Sequence, residues 1–180
     1  MARTILVTGG SASGKSRWAI SQFVACDNVL YICPGELDAD TRNRIEYGNK
    51  NNYVEWDIRE NVTSNPQELY NRHKFVIFDN LYDYTIKVME EMCPDNADCD
   101  SDMEKAIAKR IIDDVVSMQD ETRLIEGDLV VITLETGFSI ASEDAFEKSL
   151  RKILGIVNQR IANVSSDVYL SASGIQFKIK

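Results

Sequence analysis

A glycine-rich segment near the amino end constrains the fold of this 180-residue chain more than any other feature. It satisfies the pattern G-x-x-x-x-G-K-S, and it stands between an apolar run that predicts a strand and a stretch of helical period. In that context the N–H groups of the loop and the amino end of the helix surround phosphate oxygens. The sequence therefore predicts a phosphate-binding loop (P-loop) formed by Gly9, Gly10, Ser11, Ala12, Ser13, Gly14, Lys15 and Ser16.

Two side chains at the end of this loop carry its predicted chemistry. Lys15 is expected to reach the β- and γ-phosphates of a nucleoside triphosphate, and the hydroxyl of Ser16 is expected to ligate Mg²⁺. The predicted cofactors are therefore Mg²⁺ and either ATP or GTP, with the choice between the two nucleotides left open.

Short β-branched runs alternate along the chain with longer stretches of helical period, and this alternation predicts an α/β fold with a mostly parallel sheet covered by helices. Apolar stripes over 103–118 and 146–164 are expected to face the core. Only Ser173 and Gly174 separate the last two runs, which predicts a C-terminal antiparallel strand. The length fits a single domain over residues 1–180. The predicted strands are 4–8, 28–33, 53–58, 75–78, 128–134, 167–172 and 175–180.

The charge balance argues against nucleic acid and anionic membranes as partners. The 20 Lys and Arg residues against 29 Asp and Glu residues leave a net charge of -9, which repels nucleic acid and anionic membrane surfaces. No apolar run reaches membrane-spanning length and no signal-peptide pattern precedes the first strand, so we expect a cytoplasmic protein. The four cysteines lack CxxC spacing and are expected to remain thiols.

Two carboxylates follow predicted strands and are candidates for the active site. Asp79 ends the run 75–79, where a P-loop protein holds the hydration shell of Mg²⁺, although strands also commonly end in Asp where a turn begins. Glu135 follows the run 128–134 and is a candidate for positioning an acceptor or for acting as general base. The alternative interpretation is that Glu135 is an ordinary acidic residue of the loop after the strand.

His73 is the only histidine, and it is a candidate nucleophile because a phosphoramidate intermediate needs an imidazole. It precedes the strand 75–78 and should therefore lie at the amino end of that strand. Phosphates bind at the opposite edge of such a sheet. We therefore expect His73 to be a surface or structural residue.

Several separated segments carry a more specific resemblance. They are 5–10 with 13–16, then 30–32, then Thr133 with Glu135 and Gly137, and finally 155–160, 167–170 and 173–180. Together they resemble the adenosylcobinamide kinase/adenosylcobinamide-phosphate guanylyltransferase family of cobalamin biosynthesis, with the thinnest coverage over 61–125.

This resemblance implies a RecA-like P-loop core assembled as a homotrimer, which phosphorylates the aminopropanol hydroxyl of adenosylcobinamide. It also implies a second reaction, in which GMP is transferred from GTP through a guanylylated histidine on the helix after the second strand. The implied partners are a nucleoside triphosphate and adenosylcobinamide as acceptor, with no nucleic acid and no membrane.

The chain departs from the family pattern at several positions. Tyr47 and Gly48 stand where the family has a His-His pair, and the nucleophile matches Gly48, which has no side chain to carry a nucleotide. Further departures lie at Ala12, at Cys33-Pro34, at Leu134 and over 139–142. We therefore expect kinase chemistry to be retained in preference to guanylyl transfer. A kinase for a different small alcohol and a nucleotide-binding regulatory subunit without turnover remain open alternatives.

Overall fold

The computed structural model describes residues 2–63, 72–94, 99–138 and 143–180. The segment 139–142, one of the departures from the family pattern, lies outside these ranges. No helix in the described ranges is long and apolar enough to cross a membrane.

The described residues form a sheet of seven strands, which are β1 (Thr4–Gly9), β2 (Val29–Ile32), β3 (Trp56–Arg59), β4 (Phe75–Asp79), β5 (Asp128–Ile132), β6 (Asp167–Ala172) and β7 (Ile175–Lys178). Their order across the sheet is β3-β2-β4-β5-β1-β6-β7. Neighbouring strands are parallel, except that β6 and β7 pair antiparallel. The predicted α/β class, the mostly parallel sheet and its antiparallel C-terminal strand are confirmed.

The described ranges contain five α-helices, which are α1 (Lys15–Phe23), α2 (Ala39–Asn52), α3 (Leu81–Met92), α4 (Ser101–Leu124) and α5 (Ala145–Val164). A 3-10 turn spans Thr136–Phe138. Side chains cap the amino ends of α2 to α5, where Asp38, Asn80, Asp100 and Asp144 each accept a first-turn N–H. Helix α1 differs, because it starts after Gly14 without a side-chain cap.

Helices cover both faces of the sheet, and the pleat of each strand divides its residues between them. In β1, Leu6 packs with α3, α4 and α5, whereas Ile5 and Val7 pack with α1 and α2. All six residues of β1 are buried, as expected for a central strand of a parallel sheet. The predicted stripes are confirmed, since both long helices bury their apolar faces: Ile107, Ile111, Val115 and Met118 in α4, and Leu150, Ile153, Val157 and Ile161 in α5.

Strand order determines which residues meet at the carboxyl edge of the sheet. Strand β1 lies between β5 and β6, and β4 lies between β2 and β5, so their parallel carboxyl ends share one edge. Gly9, Asp79 and the residues after β5 are therefore neighbours. His73 precedes β4 at the opposite edge, where its Nε2 lies 3.6 Å from Oδ2 of Asp57, and its predicted position is confirmed. That residues 1–180 form a single domain stays a prediction.

Candidate active site at the phosphate-binding loop

The backbone of the loop depends on two glycines with positive φ. Gly9 has φ 146° and Gly14 has φ 95°. A Cβ on Gly9 would lie 2.3 Å from the carbonyl oxygen of Ser171, so no other residue fits there without displacing β6. Because α1 begins directly after Gly14 and no side chain caps it, its first N–H groups face the loop. This is the arrangement that binds an anion at a helix amino end.

The C-terminal hairpin holds the loop from the other side. The N–H of Gly174 donates to the carbonyl oxygen of Ser13 over 3.0 Å, and the hydroxyl of Ser171 donates to the same oxygen over 2.7 Å. A Cβ on Gly14 would lie 3.2 Å from Cα of Gly174, so the turn packs closely on the loop. The turn between β6 and β7 is therefore part of the site wall.

Lys15 lies folded across the loop. Its Nζ donates to the carbonyl oxygens of Gly9 at 3.2 Å and Gly10 at 2.6 Å, and the side chain is largely buried. Burial lowers the pKa of Lys15, and the nearby carboxylate of Asp79 opposes that shift. A phosphate oxygen carries more negative charge than a peptide carbonyl and would be the stronger acceptor for this ammonium group.

Two hydroxyls beside the loop support its ability to hold a polar ligand. Oγ1 of Thr8 and Oγ of Ser13 are buried and have no hydrogen-bond partner among the described residues. Buried hydroxyls without a partner are uncommon in folded proteins, because each forgoes the hydrogen bonds it makes in water. Ser13 belongs to the predicted phosphate-binding loop, and Thr8 immediately precedes it.

Asp79 ends β4 beneath the loop, and its carboxylate joins two elements. Ser16 hydrogen-bonds to it from the start of α1, and the hydroxyl of Tyr31 in β2 donates to its Oδ2. Burial raises the pKa of Asp79, while the hydrogen bonds from Ser16 and Tyr31 and the charge of Lys15 oppose that rise. A carboxylate beside a hydroxyl is a set of hard oxygen donors, which fits Mg²⁺ held partly through water. The residues present thus fit the predicted metal.

Tyr31 is a site residue that the sequence analysis did not assign. It is fully buried, and burial together with Asp79 raises the pKa of its hydroxyl well above the ordinary value, so the hydroxyl stays a donor. The sequence signal was a tyrosine inside an otherwise aliphatic strand, whose hydroxyl needs a partner when buried. Naming that partner requires knowing that β2 lies beside β4.

Glu135 is the predicted catalytic residue whose side chain does not join Lys15, Ser16 and Asp79 at the loop. Its N–H donates to the carbonyl oxygen of Gly9 over 3.1 Å, which places its backbone beside the loop. Its Oε1 accepts the N–H of Gly137 at 3.1 Å and is thus engaged with its own turn. Lys15, Ser16 and Asp79 are brought together, whereas the carboxylate of Glu135 is held in a local contact. Its catalytic role stays a prediction.

A cleft of about 760 Å³ opens over the loop. Its walls are the end of the loop, the exposed side of α1, the first turns of α2 and the C-terminal hairpin. The residues that line it are Ala12, Ser13, Gly14, Lys15, Ser16, Arg17, Trp18, Ser21, Asp40, Thr41, Arg44, Gly174 and Gln176. Its size is in the usual range for a small-molecule site.

Gly48 lies farther along α2, beyond the part that lines the cleft. It is buried, and an added Cβ would lie 3.1 Å from Cγ2 of Val24, at the carboxyl end of α1. The adjacent Tyr47 is exposed over 72% of its surface. The described residues contain no cluster of His, Cys, Asp and Glu that could hold a metal ion without a nucleotide.

Comparison with known proteins finds two relatives that match along nearly the whole chain. The chain is 31% identical over 188 residues to the bifunctional adenosylcobalamin biosynthesis protein CobU of Escherichia coli (strain K12), covering 98% of this chain and 99% of the relative. It is 30% identical over 198 residues to the protein of the same name in Salmonella typhimurium, with coverage of 98% and 99%.

Solved structures show the same fold in more distant proteins. A KaiC-like protein of Pyrococcus horikoshii OT3 superposes with a TM-score of 0.54 at 14% identity, covering 93% of this chain and 71% of that one. A family profile described as cobinamide kinase / cobinamide phosphate guanyltransferase matches residues 5–179. The resemblance inferred from the sequence is thereby confirmed, and this chain belongs to the cobinamide kinase / cobinamide phosphate guanyltransferase family.

Proposed function

We propose that this protein is a Mg²⁺-dependent kinase, which transfers the γ-phosphoryl group of ATP or GTP to the hydroxyl of a small molecule such as adenosylcobinamide. The observation that supports it best is the convergence of Lys15, Ser16 and Asp79 at the carboxyl edge of the sheet. We assign nucleotide binding to residues 9–16, metal binding to Ser16 and Asp79, and catalytic roles to Lys15, Asp79 and Glu135.

The loop can hold the triphosphate through its N–H groups while Lys15 exchanges its two carbonyl acceptors for phosphate oxygens. When bound, Mg²⁺ would supply positive charge to those oxygens. The acceptor oxygen then attacks the γ-phosphorus as the bond from that phosphorus to the bridging oxygen breaks, and a nucleoside diphosphate leaves. Glu135 would take the hydroxyl proton after its carboxylate leaves the N–H of Gly137.

Guanylyl transfer through residue 48 is not part of this proposal. The relatives are bifunctional by name, but Gly48 offers no side chain for a covalent intermediate. His73 cannot substitute for it, because it lies at the opposite edge of the sheet. Assembly as a homotrimer belongs to the same proposal, and light scattering of the purified protein would test it.

One observation favours a second candidate, a nucleotide-binding regulatory subunit without turnover. The carboxylate of Glu135 is engaged with its own turn, while the phosphate-binding loop is complete. Binding requires only the loop, whereas catalysis also requires groups that interact with the transition state. A third possibility is a kinase for another small alcohol. It would phosphorylate that alcohol and not adenosylcobinamide, whereas a regulatory subunit would phosphorylate neither.

The test combines binding with turnover. Calorimetric titration with Mg·ATP and Mg·GTP should show binding that Lys15→Ala weakens severely, with circular dichroism as the folding control. The matched control is Lys109→Ala, which removes an exposed lysine on α4. Incubation of the protein with Mg·ATP or Mg·GTP and either adenosylcobinamide or another alcohol should release a nucleoside diphosphate. This release should require the acceptor. Equal affinities of wild type and Lys15→Ala would remove Lys15 from its role, and binding without any product would favour the regulatory subunit.

A further inference from the structure

We propose that Trp18 and Gln176 contact the nucleobase of the nucleotide, with Trp18 as the stacking surface and Tyr169 as the residue that positions its indole. This inference rests on the proposed function, because it presupposes a triphosphate in the loop. It adds a recognition element that neither the P-loop pattern nor the family description assigns. The ligand class is a nucleoside triphosphate with a purine base.

Trp18 occupies the right position on α1. It follows Ser16 by two residues, which places it about 3 Å farther along the helix axis and about 200° around it, so its place at the cleft rests on the cleft lining and not on helix spacing. It lines the cleft and is neither buried nor fully exposed. An aromatic ring at this point is available to the part of the nucleotide that extends beyond the phosphates.

Tyr169 fixes the orientation of this indole. The two ring centroids are 4.6 Å apart with the planes inclined at 43°, and Tyr169 belongs to the sheet through β6. Aromatic pairs at such separations stabilise each other beyond their buried area. The indole is therefore held before a base arrives, and little rotamer freedom has to be lost on binding.

Gln176 of the C-terminal hairpin brings a primary amide to the cleft. Its Nε2 donates to Oγ of Ser171 over 3.1 Å, and Ser171 donates in turn to the carbonyl oxygen of Ser13. The same nitrogen would lie 3.8 Å from a Cβ on Gly14. A hydrogen-bonded chain thus ties this amide to the phosphate-binding loop. A primary amide can both donate and accept, which suits the edge of a purine.

The wall across the cleft has a different character. Arg44 and Asp40 of α2 form an ion pair with Nη2 and Oδ2 2.7 Å apart, and the carboxylate is largely exposed. The guanidinium of Arg44 is held in this ion pair and the carboxylate of Asp40 is solvated, so this wall suits a polar acceptor better than the aromatic wall does. The aromatic side of the cleft is therefore the side for the base.

The experiment compares ligands with and without a base. Mg·ATP, Mg·GTP and Mg·tripolyphosphate are titrated into wild type, Trp18→Ala, Trp18→Phe and the control Tyr53→Ala, whose ring is 95% exposed at the end of α2. Tryptophan fluorescence reports the site directly. The chain has two tryptophans, and the other, Trp56, is buried with its Nε1 bonded to the carbonyl oxygen of Cys26.

Both nucleotides should change the fluorescence, whereas tripolyphosphate should bind without doing so. Trp18→Ala should weaken nucleotide binding by about 5- to 150-fold, the usual effect of removing a base-stacking side chain, and should leave tripolyphosphate affinity unchanged. Trp18→Phe should restore most of the loss, and Tyr53→Ala should bind as wild type. Gln176→Ala should change the ratio of ATP to GTP affinity.

Three results would overturn the inference. If Trp18→Ala weakens tripolyphosphate as much as nucleotide, the tryptophan is a packing residue of α1. If Trp18→Ala binds nucleotide like wild type, the base lies elsewhere, and the proposed function stands. If wild type binds neither nucleotide nor tripolyphosphate, the proposed function fails together with this site.

Discussion

Tyr31→Phe tests the hydrogen bond that connects β2 to the carboxylate of Asp79. The substitution removes one oxygen atom and keeps the ring, so the fully buried side chain leaves almost no cavity. What is lost is a donor to Oδ2 of a carboxylate that is itself only 8% exposed. The structural consequence is thus confined to one hydrogen bond.

The expected magnitude follows from the charge of the acceptor. A hydrogen bond to a charged group contributes about 1.5–3 kcal/mol to stability. For a chain of this length, that corresponds to a fall in Tm of about 3–12 °C without ligand. If the same bond orients Asp79 towards the metal, its full value corresponds to a loss of about 10- to 150-fold in Mg²⁺-dependent affinity for nucleotide.

Tyr84→Phe is a matched control, because the hydroxyl of Tyr84 also donates to an aspartate, Oδ2 of Asp114, over 2.8 Å, and does so between α3 and α4. Thermal unfolding and calorimetric titration, each with and without Mg²⁺, would be measured for both variants. Both should lose stability, but only Tyr31→Phe should lose Mg²⁺-dependent affinity. The reasoning is refuted if Tyr31→Phe binds Mg·nucleotide like wild type, or if Tyr84→Phe shows the same loss.

Three further predictions concern the two carboxylates at the loop, covalent labelling and pH. Asp79→Asn should lower turnover, and added Mg²⁺ should partly restore it. Glu135→Gln should lower turnover at nearly unchanged nucleotide affinity. If Glu135→Gln kept full activity, Glu135 would be an ordinary loop acid. Wild type incubated with α-labelled GTP should stay unlabelled in denaturing electrophoresis and should gain no GMP by intact mass, and a stoichiometric label would contradict this. Burial raises the pKa of Asp114 above 3.8, so the folded state holds its proton more tightly than the unfolded state. Stability should therefore fall as pH rises from about 4 through the raised pKa, and urea unfolding should show a smaller fall for Asp114→Asn.

The sequence allowed the fold and half of the site to be predicted because both depend on local signals. The loop motif, the apolar strands and the position of Asp79 at a strand end are each contained in a few adjacent residues. Parallel pairing then brings such strand ends to one edge without any knowledge of strand order. His73 could be placed at the opposite edge by the same reasoning.

The remaining site residues depend on contacts between distant segments. Tyr31 meets Asp79 because β2 pairs with β4, which is a crossover that no local pattern specifies. Ser171 reaches Ser13 across 158 residues of chain. The contact of Glu135 with Gly137 is local, but the turn that produces it has no distinctive sequence. Sequence patterns identify the groups, and tertiary packing selects their partners.

The position of Gly48 bears on the proposal that this chain retains kinase chemistry without guanylyl transfer. The phosphate-binding groups lie at the start of α1, whereas Gly48 of α2 packs beside Val24. Val24 follows Lys15 by nine residues, so it lies about 13 Å farther along the axis of α1. A Cβ at position 48 would lie 3.1 Å from Cγ2 of Val24, so the valine side chain would have to shift slightly to admit any other residue. The hydrogen bonds described for Lys15 and Asp79 do not involve residue 48, so we expect a glycine there to leave phosphate binding intact. Replacing Gly48 with histidine alone should not create a labelled intermediate, since Ala12 and residues 139–142 also depart from the family pattern.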